Sequence, residues 1–67
     1  MKRFIKEYAN YKLSCNPFYY DNVKNQLYIY RINKAVEKCE GGFITIDEAM
    51  EMIVNAEHYA FKEAKIK

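Results

Sequence analysis

Gly41-Gly42-Phe43-Ile44-Thr45-Ile46-Asp47-Glu48-Ala49 places a helix stop, a short link and a helix start within nine residues. A glycine adopts the left-handed conformation that closes a helix C-terminus without a Cβ penalty. Thr45 followed three positions later by Glu48 is a capping box. The Thr hydroxyl accepts from a free N–H of the new helix, and the Glu carboxylate reaches back to the Thr N–H. Asp47 adds negative charge at the positive end of the helix dipole. The segment predicts two helices folded back on one another across the second half of the chain.

The rest of the chain offers little that competes with helix. It has 67 residues, with only two Gly and one Pro, too few for a turn-rich β fold. One domain spanning residues 1–67 is expected, with a modest core. A first helix reads from Lys2 to Ser14, with Phe4, Ile5, Tyr8 and Tyr11 on one face and Ala9 and Leu13 widening it. Ser14-Cys15-Asn16-Pro17 ends it, because the residue before proline avoids the helical region. The second helix starts between Pro17 and Asn22 and ends near Glu40. Asn16 and Asp21 compete as its N-cap.

The second helix carries two apolar stripes. Tyr20, Val23, Leu27 and Tyr30 share one face, which is expected to meet the first helix. Tyr28, Ile32, Ala35, Val36 and Cys39 share another, expected to meet the third. The third helix runs from Ile46 to about Lys65, its core face made by Ile46, Ala49, Met50, Ile53, Ala56, Ala60, Phe61 and Ala64. Glu57 falls within that face and calls for an ionic partner or for a helix that leaves the core there. The fold expected is all-α, three helices, with helices two and three as an antiparallel hairpin. The competing reading makes Leu27–Ile32 a β-strand paired with Phe43–Ile46.

Charge and aromatics are unevenly spread. The net charge is +2, yet residues 1–31 hold six Lys/Arg against two acids (+4), and residues 32–67 hold five against seven (−2). Eight of the eleven aromatics lie in the basic half. Basic side chains interleaved with tyrosine suit an acidic protein surface, or a nucleic-acid strand on which rings stack and cations neutralise phosphates. Arg3, Lys6, Tyr11, Phe18, Tyr19 and Tyr20 are the candidate partner-contact residues; the alternative role for the Phe18-Tyr19-Tyr20 triplet is to plug one end of the core. Met52, Tyr59 and Ile66 recur at seven-residue spacing, nearly opposite the core stripe. Such a line either scatters harmlessly on the surface or forms a seam for a second copy.

The residues that usually carry chemistry are sparse. Cys15, Cys39 and the single His58 lack paired metal-ligand spacing, and packed, reduced thiols are expected. No Gly-rich phosphate loop is present. No apolar run approaches the roughly 18 residues of a membrane span. Lys6, Glu7 and Asn10 interrupt any signal-like apolar region after Met1-Lys2-Arg3. A cytoplasmic, non-enzymatic chain without cofactor or metal is expected.

Residues 37–54, with Gly42, Ile44-Thr45 and Asp47-Glu48, resemble the helical hairpin of short SHOCT-like domains. This chain differs at Ala49, where a Phe is usual, and at Met52, where a Lys is usual. Its first eleven residues, including Phe4-Ile5-Lys6-Glu7-Tyr8-Ala9-Asn10-Tyr11, are similar to small uncharacterised proteins of phages and integrative elements of Gram-positive bacteria. These resemblances imply a small interaction module, such as a mobile-element accessory protein or an inhibitor of a host or defence complex. Nucleic-acid binding through the basic half is the alternative. Thr45–Ala49 also looks like the first helix of a helix-turn-helix reader, but no glycine turn or recognition helix follows.

Overall fold

A computed structural model describes residues 2–66. Four helices follow in order: α1 (Lys2–Ser14), α2 (Asn22–Glu40), α3 (Ile46–Val54) and α4 (Ala56–Ile66). No strand occurs among the described residues, and Leu27–Ile32 lies within α2. The strand reading fails because Tyr28, Ile32, Ala35 and Cys39 bury one helical face together.

The link between α2 and α3 forms as its residues dictate. Gly42 takes φ 79°. Its N–H donates to the Cys39 carbonyl (3.2 Å), and the Phe43 N–H donates to the Lys38 carbonyl (2.9 Å). These two bonds are the Schellman closure. The capping box is complete: the Glu48 N–H donates to Thr45 Oγ1 (3.1 Å) and the Thr45 N–H donates to Glu48 Oε1 (2.9 Å).

At the other end of α2, Asp21 is the N-cap, accepting from the Lys24 N–H at 3.1 Å. Asn16 takes a different task. Its Oδ1 accepts from the Phe18 N–H (2.8 Å), an Asx-turn that carries the chain past Pro17. Its Nδ2 donates to Asn25 Oδ1, tying the turn to α2.

The expected third helix is two helices. Asn55 sits at φ −91°, ψ 7°, with its N–H shared between the Glu51 and Ile53 carbonyls. The Tyr59 N–H still donates to the Asn55 carbonyl (2.9 Å), so the chain bends rather than stops. Asn, with β-branched Ile53 and Val54 before it, is among the weaker helix formers. Glu57 lies exposed in the first turn of α4, just beside the buried Ala56 and off the core position its spacing suggested. The core stripe survives the bend: Ala49, Ile53, Ala56 and Ala60 are all fully buried.

α2 packs against α1, α3 and α4, whereas α1 and α4 do not meet. The Cα envelope measures 33 × 22 × 14 Å. A thickness of about 14 Å is what two packed helices span, from an interaxial distance of about 9 Å plus two Cα radii. The molecule is therefore two helices thick, with α2 as one layer across the other three.

Five of the eleven buried residues are alanines: Ala9, Ala35, Ala49, Ala56 and Ala60. They let the helices approach closely and decide which faces turn inward. α1 presents Ile5 and Ala9 to the core, which leaves Phe4 and Tyr11 exposed, against the expected face. α2 presents the Tyr28–Cys39 stripe. Of the other stripe, Tyr20, Val23 and Tyr30 are exposed and only Leu27 reaches the core edge. That stripe does not meet α1 as expected, because two layers give α2 neighbours on one side only.

Candidate functional site

The segment between α1 and α2 is built around Phe18. Its ring meets Tyr28 edge-on at 5.7 Å and Phe61 at 5.1 Å, and it is 7% exposed. Phe18 is therefore an anchor, and its expected role as a contact residue is corrected: its surface is already covered. With Phe18 turned inward, Tyr19 and Tyr20 point outward. They are 75% and 96% exposed and pack edge-to-face against each other at 5.0 Å. Two adjacent tyrosines on an anchored turn form a prominent aromatic projection. Tyr has few rotatable bonds and keeps a polar tip, so immobilising it against a partner costs little entropy.

Tyr11 is exposed in the last turn of α1, at the same end of that helix as the loop. Arg3 and Lys6 lie towards the other end of α1. The eleven helical steps from Arg3 to Ser14 rise about 16 Å, so the six expected residues do not form one cluster. The basic character of α1 is also reduced. Arg3 pairs with Glu7 (3.7 Å) and Lys6 with Glu40 (3.2 Å). Lys24 pairs with Asp21 and Lys34 with Glu37. Exposed pairs of this kind add little stability. They do cancel local charge, and that weakens any pull on a polyanion.

Met52 and Tyr59 do not present the outward seam that their spacing suggested. Met52 packs against the core cluster, and Tyr59 is half-buried with the Arg31 guanidinium 4.7 Å from its ring centre. Both positions are partly covered, so the seven-residue line runs along the edge of the core and not opposite it. The side chain of Ile66 lies outside the described residues. Arg31 Nε is buried without a hydrogen-bond partner, which leaves the Tyr59 ring as the favourable neighbour of that cation.

Sequence reasoning missed how much aromatic surface stays outside. Phe4, Tyr11, Tyr19, Tyr20, Tyr30, Phe43 and Phe61 are all more than 40% exposed, seven of eleven aromatics. Phe43 is 83% exposed because the Schellman turn projects it beyond α2. The signal was present: residues that cannot all fit beside an alanine-rich core must go outside.

No polar or charged residue is buried among the described residues. Cys39 is buried and Cys15 exposed, both free, so the expectation of two packed thiols holds for Cys39 alone. No cluster of three or more metal-ligating side chains occurs among the described residues. An open groove of about 650 Å³ between α1 and α2 is lined by Lys6, Ala9, Leu13, Val36 and Glu40 among others. The Tyr28 hydroxyl donates to the Lys12 carbonyl (3.1 Å), and burial, followed by the charge of Glu57, raises its pKa. The pKa of Asp21 is lowered, first by the hydrogen bond from the Lys24 backbone. Both groups hold the fold together at helix ends. No described helix is long and apolar enough to cross a membrane.

No protein-family model, curated protein or solved structure matches this chain.

Proposed function

We propose that this chain is a small, non-enzymatic protein-binding module that acts by covering part of a partner's surface. The observation that carries this reading is the Tyr19–Tyr20 pair, held almost wholly in solvent by the buried Phe18 beside it. A lone domain gains no stability from such rings. A partner gains two anchors of the type that dominates binding hot spots. Tyr11 adds to this end of the molecule. Arg3 and Lys6 extend the surface towards an acidic partner, provided that partner displaces Glu7 and Glu40. The resemblance of the N-terminal residues to mobile-element proteins extends the proposal: a cytoplasmic accessory protein, or an inhibitor of a host or defence complex. Occlusion requires shape and contact area, with no reacting group.

Nucleic-acid binding is less well supported, because Arg3, Lys6, Lys24 and Lys34 all engage acids of the same chain. Phosphate contacts would make binding fall steeply with salt.

The test compares immobilised wild type with the Tyr19→Ser/Tyr20→Ser variant for proteins retained from a lysate of the source cell. A protein held by wild type and lost from an equally folded variant is the expected result. Equal retention by both, or retention of nothing, refutes the reading. A low-salt mobility shift with single-stranded oligonucleotide would transfer support to the nucleic-acid alternative.

A further inference from the structure

The outer face of α4 gathers cations that no acid of this chain takes. His58, Phe61, Lys62 and Lys65 follow at i, i+3, i+4 and i+7 and line an open depression of about 570 Å³. All four are exposed, Phe61 to 42%. Neither Lys62 nor Lys65 pairs with an acid among the described residues, whereas Arg3, Lys6, Lys24 and Lys34 all do. The Phe61 ring links this face to the tyrosine loop. It lies edge-on to Phe18 at 5.1 Å, and Tyr19 follows Phe18 directly. The Lys24 ammonium stands 5.0 Å from the centre of the same ring, and Lys24 sits in the first turn of α2, four residues after Tyr20.

We infer that the partner presents an acidic protein segment to this face, with an apolar side chain against the open part of Phe61 and carboxylates on Lys62 and Lys65. The inference rests on the binding role proposed above and names the chemistry of the partner. An acid meets Lys62 and Lys65 without displacing any ion pair, which Arg3 and Lys6 do not allow. The basic contact therefore moves from α1, where composition puts it, to α4, although residues 32–67 carry a net charge of −2.

Two acids border this face and select its occupant. Asp21 holds the Lys24 ammonium at 3.2 Å, and Glu57 lines the adjoining depression with Val54, His58 and Phe61. A nucleic-acid strand carries a charge on every nucleotide and tracks a continuous basic groove, so it would bring phosphates past both carboxylates. A peptide places its carboxylates only where its sequence puts them. Lys62 and Lys65 are one helical turn apart, about 5 Å along α4, a spacing that two acids of a short segment match. Exposed charge pairs are individually weak, so contact with Phe61 supplies the affinity and the lysines choose the partner.

Titration of the isotope-labelled chain with a short synthetic peptide carrying one phenylalanine among glutamates, followed by nuclear magnetic resonance, tests the inference. An ionic strength of about 0.15 M confines the response to charges in contact, because the screening length there is about 8 Å. The signals of Phe61, Lys62 and Lys65 are expected to move, and those of Phe43, beyond the far end of α2, to stay. Lys62→Glu/Lys65→Glu is expected to weaken the peptide roughly tenfold or more, the size of two exposed charge pairs. Both lysines are exposed, so this variant keeps its helical circular dichroism signal. The same peptide with lysines in place of glutamates is expected to move nothing. No movement with the glutamate peptide overturns the inference. So does equal binding by the lysine variant, an equal response at Phe43, or a stronger response to an oligothymidylate, which would place a nucleic acid here. In the lysate assay, a protein lost from Tyr19→Ser/Tyr20→Ser but kept by Lys62→Glu/Lys65→Glu leaves the binding role standing and removes this inference alone. Equal retention by wild type and the tyrosine variant removes the binding role itself.

Discussion

Tyr28 and Tyr30 are two residues apart on α2, share the same chemistry, and differ in surroundings. Tyr28 is 3% exposed, edge-on to Phe18, and its hydroxyl donates to the Lys12 carbonyl. Tyr30 is 54% exposed, with the Lys34 ammonium 5.9 Å from its ring centre. Truncating a large buried aromatic costs about 3–5 kcal/mol, from lost transfer free energy and the cavity left behind. Truncating a half-exposed ring beside a loose cation costs about 0.5–1 kcal/mol. A domain of this size holds about 3–10 kcal/mol in total. Tyr28→Ala should therefore lose about a third or more of the total stability, and Tyr30→Ala should fold normally. Tyr28→Phe keeps the ring and removes one hydrogen bond, for a loss of about 1 kcal/mol. Urea titrations followed at 222 nm give all three values. A larger loss for Tyr30→Ala than for Tyr28→Ala would mean that α2 is rotated about its axis, and the surface assignments would fail with it.

Gly42→Ala should cost about 1–2 kcal/mol, because an alanine must then take φ 79°, and thermal unfolding measures it. Thr45→Ala removes the acceptor for the Glu48 N–H and should cost about 1 kcal/mol by the same assay; Glu48→Ala made in the Thr45→Ala background should then cost less than it does alone, since the two bonds form one box. The lowered pKa of Asp21 makes its cap stabilising above the unfolded value of about 3.9 and lost as pH falls through the folded value, so the wild-type advantage over Asp21→Asn should shrink between pH 5 and pH 3. The raised pKa of Tyr28 works at the other end of the scale, with stability falling as pH climbs past about 10, a fall that Tyr28→Phe should reduce.

Local chemistry made much of the fold legible. The Schellman turn at Gly41-Gly42, the Thr45–Glu48 box and the bounds of α1 all follow from interactions within a few residues of each other. The same is true of the choice between Asn16 and Asp21, which the sequence leaves open and the structure resolves by giving each a separate task. Two features were not legible. The bend at Asn55 depends on how α4 must approach α2, a tertiary demand that only slightly exceeds local helix preference. The choice between the two stripes of α2 depends on the number of layers, and periodicity does not encode that number. Both stripes satisfy the helical repeat. The one opposite the alanines of the other helices is buried, and the one with Val23 and Tyr30 is left outside. The candidate surface inherits the same uncertainty of origin: Tyr19 and Tyr20 were recognisable as a pair, but their exposure required knowing that Phe18 alone turns inward.

Photochemically induced nuclear polarisation of tyrosine, which reports ring access to a flavin dye, tests most directly whether these rings stand in solvent. Strong signals from Tyr11, Tyr19 and Tyr20 and none from Tyr28 are expected. A polarised Tyr28 together with silent Tyr19 and Tyr20 would contradict the account.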